Sequence, residues 1–246
     1  MSSFAVLIPA AGRSTRFNDK EKKPFAHIDN RAVWLRSAEL FVTRSDVAET
    51  HLIIAPEDEE RFRTRYAANL AFMNVKLAFG GPERFDSVAN ALGRVSAGIE
   101  FVAIHDAVRP CVTTEQIDAV FAAARQHGAA ILATRLADTL KRVEGQFVRE
   151  TPAREGLWLA QTPQVFRRDV LETAYGRRGE LGTAITDDAQ LVEALGLRVA
   201  VVEGSSTNIK ITTRDDLALA AAILASRPAP KEKRPIHPFA DDDMWR

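Results

Sequence analysis

Pro9-Ala10-Ala11-Gly12 is followed by Arg16 and then by Lys22-Lys23-Pro24, so small residues come first and cations after them. Small side chains let backbone N–H groups approach a phosphate chain closely, and lysine or arginine side chains then neutralise it. The spacing is neither the dinucleotide-binding G-x-G-x-x-G nor the P-loop G-x-x-x-x-G-K-[ST]. What it suggests is a nucleotide whose phosphates are attacked. An ordinary strand-to-helix turn beside a solvated charge cluster has the same residues, so the loop alone leaves both readings open.

Further along, Gly80-Gly81-Pro82-Glu83-Arg84 precedes Ser87-Val88. Paired glycines at a strand end let a flat base rest on the backbone, and a helix starting near Glu83 returns Ser87 to the same spot. His105-Asp106-Ala107-Val108-Arg109-Pro110 sends an acid out of a buried strand, which is costly unless a metal or cation faces it. Arg109 either pairs with Asp106 locally or holds a second anionic group; His105 reads as structural. Gln161 and Thr162 either offer neutral hydrogen-bonding groups on a turn stiffened by Pro163 or belong to a strand edge that the proline ends. Thr186-Asp187-Asp188-Ala189 opens a helix, with Thr186 either its cap or a cleft residue. In Asn208-Ile209-Lys210-Ile211-Thr212 the lysine alternates with isoleucines and points away from the apolar face of its strand.

These residues must be held by regular elements. Apolar runs at Phe4–Ile8, His51–Ala55, Val75–Phe79, Phe101–His105, Ala129–Ala133 and Arg198–Val202 predict strands. Amphipathic stretches at Val33–Phe41, Glu57–Tyr66, Arg84–Val95, Glu115–Gln126, Asp187–Leu195 and Asp215–Ala225 predict helices. The alternation implies an α/β fold with a mainly parallel sheet covered on both faces, and ligands beyond the carboxyl ends of its strands. A polar hairpin within residues 137–158, turning at Glu144-Gly145, breaks the rhythm. It is too small to be stable alone and is expected to lean on another subunit. Residues 1–225 form the expected domain. Residues 226–246, rich in proline and then acidic, read as a flexible tail.

Composition narrows the classes. With 246 residues, 46% hydrophobic and 27% charged, the chain can bury one full α/β core. Lys+Arg 33 against Asp+Glu 33 excludes a surface built to coat nucleic acid. No apolar stretch reaches membrane-spanning length and the first residues lack a secretion signal, so no membrane association is expected. A single cysteine, Cys111, allows no internal disulfide and no cysteine metal site, which suits a reducing cytoplasm.

Taken in order, P-A-A-G-x-x-x-R, K-K-P, G-G-x-x-R-x-x-S-V, H-D-A-V-R-P, D-T-L-K, L-W-x-A-Q-T-P-Q, T-D-D-A and N-I-K-I-T resemble the 2-C-methyl-D-erythritol 4-phosphate cytidylyltransferase family over about residues 4–225. The resemblance implies a Rossmann-like nucleotidyltransferase fold, with a twisted sheet and a protruding β-arm. It also implies a homodimer held by that arm, and a Mg²⁺-dependent transfer of CMP from CTP to methylerythritol 4-phosphate. By motif position Arg16, Lys23, Arg154 and Lys210 are implied as catalytic, and Pro9, Ala10, Ala11, Gly12, Gly81 and Ser87 as CTP-binding. Asp106, Arg109, Thr139, Thr162 and Thr186 are implied for the second substrate, Asp106 also for the metal. Thr139 and Arg154, on the arm, are implied to serve the other subunit's site.

The chain departs from the family pattern at three places. Ser14 stands where a second glycine is usual, and Pro82 where relatives can offer a polar ribose contact. Lys22-Lys23-Pro24 replaces Pro-Lys-Gln, leaving the triphosphate lysine open between Lys22 and Lys23; the count from Arg16 favours Lys23. Two other functions fit the same residues: a cytidylyltransferase for another polyol phosphate such as ribitol 5-phosphate, and a nucleotide-binding protein with little turnover.

Overall fold

The computed structural model describes residues 3–12, 22–180 and 185–227. Phe4–Pro9 forms β1, whose apolar residues alternate between two cores: Phe4, Val6 and Ile8 enter one, Ala5 and Leu7 the other. A strand apolar on both sides needs helices on both faces of its sheet. His27–Ile28 (β2) and Arg31–Ala32 (β3) pair as a small hairpin leading into Val33–Val42 (α1). Val47–Ile54 (β4), Glu59–Arg65 (α2), Ala67–Phe72 (α3), Val75–Phe79 (β5), Arg84–Leu92 (α4) and Phe101–Ile104 (β6) follow. Thr114–His127 (α5), Ala129–Arg135 (β7), Arg142–Glu144 (β8), Phe147–Glu150 (β9), Trp158–Arg167 (β10) and Arg168–Gly176 (α6) come next. Asp188–Glu193 (α7), Ala200–Glu203 (β11) and Arg214–Ala225 (α8) complete the order.

The main sheet has seven strands in the order β11-β7-β10-β6-β1-β4-β5. Its strands are parallel except β10, which runs antiparallel between β6 and β7. The expected α/β class and mainly parallel sheet are what the chain forms. One core lies under α1, α2 and α5 and the other under α4, α6 and α7. A third, smaller cluster packs α8 against Ile28, Val33, Cys111 and Ile211.

Two local expectations are corrected. Gln161, Thr162 and Pro163 lie within β10 and not on a turn. Pro163 falls where pairing with β7 is irregular, between Ala160 and Gln164, so its missing N–H removes no ladder bond. Asn208 to Thr212 is an irregular segment and not a strand, tied by the Ile211 N–H to the Val108 carbonyl at 2.9 Å. The alternation survives nonetheless: Ile209 and Ile211 join the α8 core while Lys210 is exposed on the other side. The hairpin expected in residues 137–158 is present as β8 and β9, exposed throughout, with Phe147 80% exposed. Of the expected tail, residues 228–246 lie outside the described residues.

Candidate active site

From β1 the chain builds β4 and β5 on one side of the sheet and then returns to place β6 on the other. Strand order therefore reverses at β1, and the loops beyond the carboxyl ends of the adjoining strands part there to leave a crevice. A cleft of about 390 Å³ occupies that position. Pro9 to Gly12 enter it from β1, Ala55 and Pro56 from the end of β4, Gly81 from the turn after β5, Ser87 from α4, and Asp106 and Val108 from the end of β6. Lys23 and Lys210 reach it from two flanking loops.

The glycines are required by close approach. A Cβ on Gly81 would stand 2.4 Å from the Asp86 Cβ, and one on Gly80 would stand 2.8 Å from both the Ala11 Cβ and the Ser87 Oγ. Ser87 returns over this turn as expected from its spacing: its hydroxyl accepts from the Gly81 N–H at 3.0 Å and donates to the Glu83 carbonyl at 2.9 Å. The Ala10 and Gly80 N–H groups donate to the Ile53 and Ile54 carbonyls, which ties the two small-residue loops to the end of β4.

Lys22 and Lys23 separate in space. The Lys22 Nζ donates to Asp58 at 2.6 Å and to Glu57 at 3.1 Å. Burial opposes its charge, but these carboxylates outweigh burial and raise its pKa. Lys23 is the one of the two that lines the cleft. The short 3-10 turn Lys23–Phe25 is held by Phe25, whose ring sits 5.2 Å from Phe62 and under the Arg61 guanidinium at 4.0 Å.

Asp106 is the electrostatic centre. Its carboxylate lies 2.8 Å from the Lys210 Nζ, 3.5 Å from the Arg109 Nε and 4.0 Å from the Arg84 Nη2. Burial pushes its carboxyl up, but Lys210, Arg84 and Arg109 outweigh burial and hold it well below the usual carboxylate range. The residue is also braced from behind. The Asp106 N–H donates to the Thr162 hydroxyl at 3.0 Å, and that hydroxyl meets the His105 Nδ1 at 3.2 Å. The His105 Nε2 faces the Arg109 carbonyl at 3.0 Å. A carbonyl can only accept, so Nε2 carries the proton and Nδ1 accepts from Thr162. Burial lowers the His105 pKa to about 4, which keeps this ring neutral. His105 is structural, as its sequence position suggests.

The residues implied for the second substrate are not all gathered here. The Thr162 hydroxyl is buried against Asp106 and His105 and not turned to the cleft. Arg109 is largely buried and spends Nη1 on the Asn208 carbonyl at 2.7 Å. Thr186 is exposed, bonds Gln190, and does not cap α7. The cap is Asp187, whose carboxylate accepts from the Gln190 N–H at 3.1 Å and from Gln164 at 2.9 Å. Asp187 stands at the N-cap position, from which its carboxylate reaches the N–H three residues on. Thr139 and Arg154 are exposed on the arm, where Arg154 bonds the Ala137 carbonyl. Arg16 and Ser14 lie outside the described residues.

Sequence reasoning passed over Arg84, Asp188 and Tyr175. Arg84 lines the cleft and is bound by Asp188, which Tyr175 also bonds. The signal for Arg84 was its place in G-G-x-x-R; nothing local marks Tyr175.

Among the described residues no three His, Cys, Asp or Glu side chains cluster as a metal site. Asp106, already facing three cations, fits a divalent ion only as one ligand beside phosphate oxygens, which is how Mg²⁺ is commonly held.

A family model described as IspD, 2-C-methyl-D-erythritol 4-phosphate cytidylyltransferase, matches residues 4–226. A protein of that name from Rhodopirellula baltica is 42% identical over 234 residues, covering 91% of this chain and 95% of its own. One from Bacillus velezensis is 40% identical, covering 90% and 95%. The crystal structure of the Francisella tularensis protein of the same name superposes with a TM-score of 0.78 at 32% identity, covering 90% of this chain and all of its own (100%).

Proposed function

The chain belongs to the 2-C-methyl-D-erythritol 4-phosphate cytidylyltransferase family, and from that premise we propose how its residues transfer CMP from CTP to methylerythritol 4-phosphate. The activity is that of a nucleotidyltransferase of isoprenoid precursor biosynthesis. A phosphate monoester oxygen attacks the α-phosphorus of CTP in line, a new P–O bond forms, and the bond to the β-phosphate breaks to release pyrophosphate. A phosphate monoester with pKa₂ ≈ 6 is already mostly dianionic near neutral pH, so no general base is required. Bringing two anions together is the difficulty, and positioning and charge stabilisation meet it.

The observation that carries this reading is the meeting of the two small-residue loops with Lys23 and Lys210 in one cleft. Pro9, Ala10, Ala11, Gly12, Gly81 and Ser87 form the nucleotide side. Arg16 and Lys23 take the triphosphate. Lys210 directs the incoming phosphate, and Asp106 orients Lys210. Asp106, together with phosphate oxygens, would hold Mg²⁺, which would supply further neutralisation of phosphate charge. On the polyol side Thr162 and Arg109 act through Asp106, Thr162 by accepting from its N–H and Arg109 by facing its carboxylate, and the exposed Thr186 is offered to the polyol. Thr139 and Arg154 on the arm serve the second subunit's site in a homodimer; the exposed Phe147, Val143 and Val148 on that arm support this. Residues 1–225 act as one domain, and the single, buried Cys111 accords with a cytoplasmic enzyme.

Pyrophosphate release from CTP and Mg²⁺ with a panel of polyol phosphates tests the reading. Release with methylerythritol 4-phosphate is expected. Release with ribitol 5-phosphate alone selects the other polyol, and CTP binding without release selects a binding protein.

A further inference from the structure

Arg84 opens α4, and its Nη2 donates to Asp188 Oδ2 at 2.7 Å although the two residues are 104 positions apart. Tyr175, on α6, donates to the other oxygen of that carboxylate at 2.5 Å. Asp188 is fully buried, and a buried carboxylate bonded on both oxygens has no freedom to swing. Burial opposes the Arg84 charge, but Asp188 and Asp106 outweigh it and raise its pKa. Asp188 and Tyr175 therefore form a fixed anchor that holds one edge of the guanidinium while Arg84 lines the cleft. The same Nη2 stands 4.0 Å from Asp106 Oδ1, on the far side of the carboxylate from Lys210 and Arg109 contacts at Oδ2.

A buried ion pair gains little stability over an apolar pair of similar volume, so its main consequence here is direction. With Asp188 in place, Arg84 stays close enough to attract Asp106 Oδ1 without forming a tight pair. Without it, Arg84 is free to close on Asp106 and draw the carboxylate from Lys210. Without Arg84, Asp106 turns wholly toward Lys210 and Arg109.

We propose that Arg84 is a positioning residue for Asp106, anchored by Asp188 and Tyr175, and that this trio sets where the carboxylate stands in the transfer site. The inference rests on the role given to Asp106 above. It explains why the acidic pair of T-D-D-A is split: Asp187 caps α7, and Asp188 holds Arg84.

The test uses full-length protein in single-turnover release of pyrophosphate from CTP and methylerythritol 4-phosphate with Mg²⁺. Asp188→Asn and Arg84→Lys are each expected to slow transfer by roughly 10–100-fold, as loss of a supporting partner does. Thermal unfolding checks that both fold; if Asp188→Asn does not, Tyr175→Phe, which keeps the ion pair, takes its place. In an Asp106→Asn background the same substitutions should cost less than about 3-fold more, because residues acting through one group are not additive. Full additive losses in that background, or wild-type rates in the single variants, overturn the inference. A wild-type protein that releases no pyrophosphate overturns instead the function on which it rests.

Discussion

The Lys210 Nζ lies 2.8 Å from the Asp106 carboxylate at the mouth of the cleft, although Lys210 is half-exposed and Asp106 is buried. The buried acid holds the lysine ammonium, so this cation is positioned where two phosphates must meet. Lys210→Ala is expected to lower turnover by about 10²-fold or more while leaving the unfolding midpoint near that of the wild type. Unchanged turnover would remove Lys210 from the mechanism.

The two neighbouring lysines should separate in the same assay. Lys23→Ala is expected to lose about 10²-fold in turnover with little change in stability. Lys22→Ala breaks the contacts to Glu57 and Asp58, and is expected to cost under about 1 kcal/mol with turnover within roughly 3-fold. The reverse pattern would assign the triphosphate to Lys22.

Gly81→Ala tests the nucleotide side. Its new methyl would meet the Asp86 Cβ at 2.4 Å, on helix backbone that cannot easily yield. A loss of roughly 1–3 kcal/mol in stability and a raised KM for CTP are expected. Unfolding curves and CTP titration of the same preparation measure both, and an unaffected KM would detach this turn from the nucleotide.

A buried cluster at the opposite end of β4 should govern acid stability. Burial pushes the Glu49 carboxyl up, but hydrogen bonds from Lys76 and from the Ser96 N–H and hydroxyl outweigh burial and hold it down at about 2. Its stabilisation is present above the unfolded carboxyl pKa and is lost as pH falls toward 2. His51, beside Glu49 and also influenced by Lys76 and Arg94, has its pKa lowered by burial, so protonating it works in the same direction. Glu49→Gln is therefore expected to lower the unfolding midpoint clearly at pH 7 and much less near pH 3. An equal difference at both pH values would exclude Glu49 from acid sensitivity.

The parallel strands were legible because each carries a local pattern. Phe4–Ile8 is apolar at every position, so burial on both faces can be read directly, and Val75–Phe79 is a mostly apolar run closed by Gly80-Gly81. Strand β10 was not legible. Its buried half contains Gln161, Thr162, Pro163 and Gln164, residues typical of a turn. They survive inside the sheet because their polar groups find distant partners: Gln161 bonds the Ser205 carbonyl, and Gln164 bonds Asp187. Helices α3 and α6 were missed for a related reason. Ala67–Phe72 buries no residue deeply and shows no apolar stripe, whereas Arg168–Gly176 has one in Val170, Leu171, Ala174 and Tyr175, but only over nine residues.

By itself, the sequence determined that small residues precede cations after a first buried strand, and that the later motifs follow in one family's order. Those are local facts, set by residue type and spacing along the backbone. The tertiary structure decided which of two adjacent lysines enters the cleft, that Thr162 turns inward to brace Asp106, and that Arg84 is held by an acid 104 positions away. Each of those outcomes depends on which distant side chains the sheet order and helix packing bring within about 3 Å, the range in which hydrogen bonds form. Spacing along a chain encodes local conformation; it does not encode the partner a charged group meets once two helices and a strand converge.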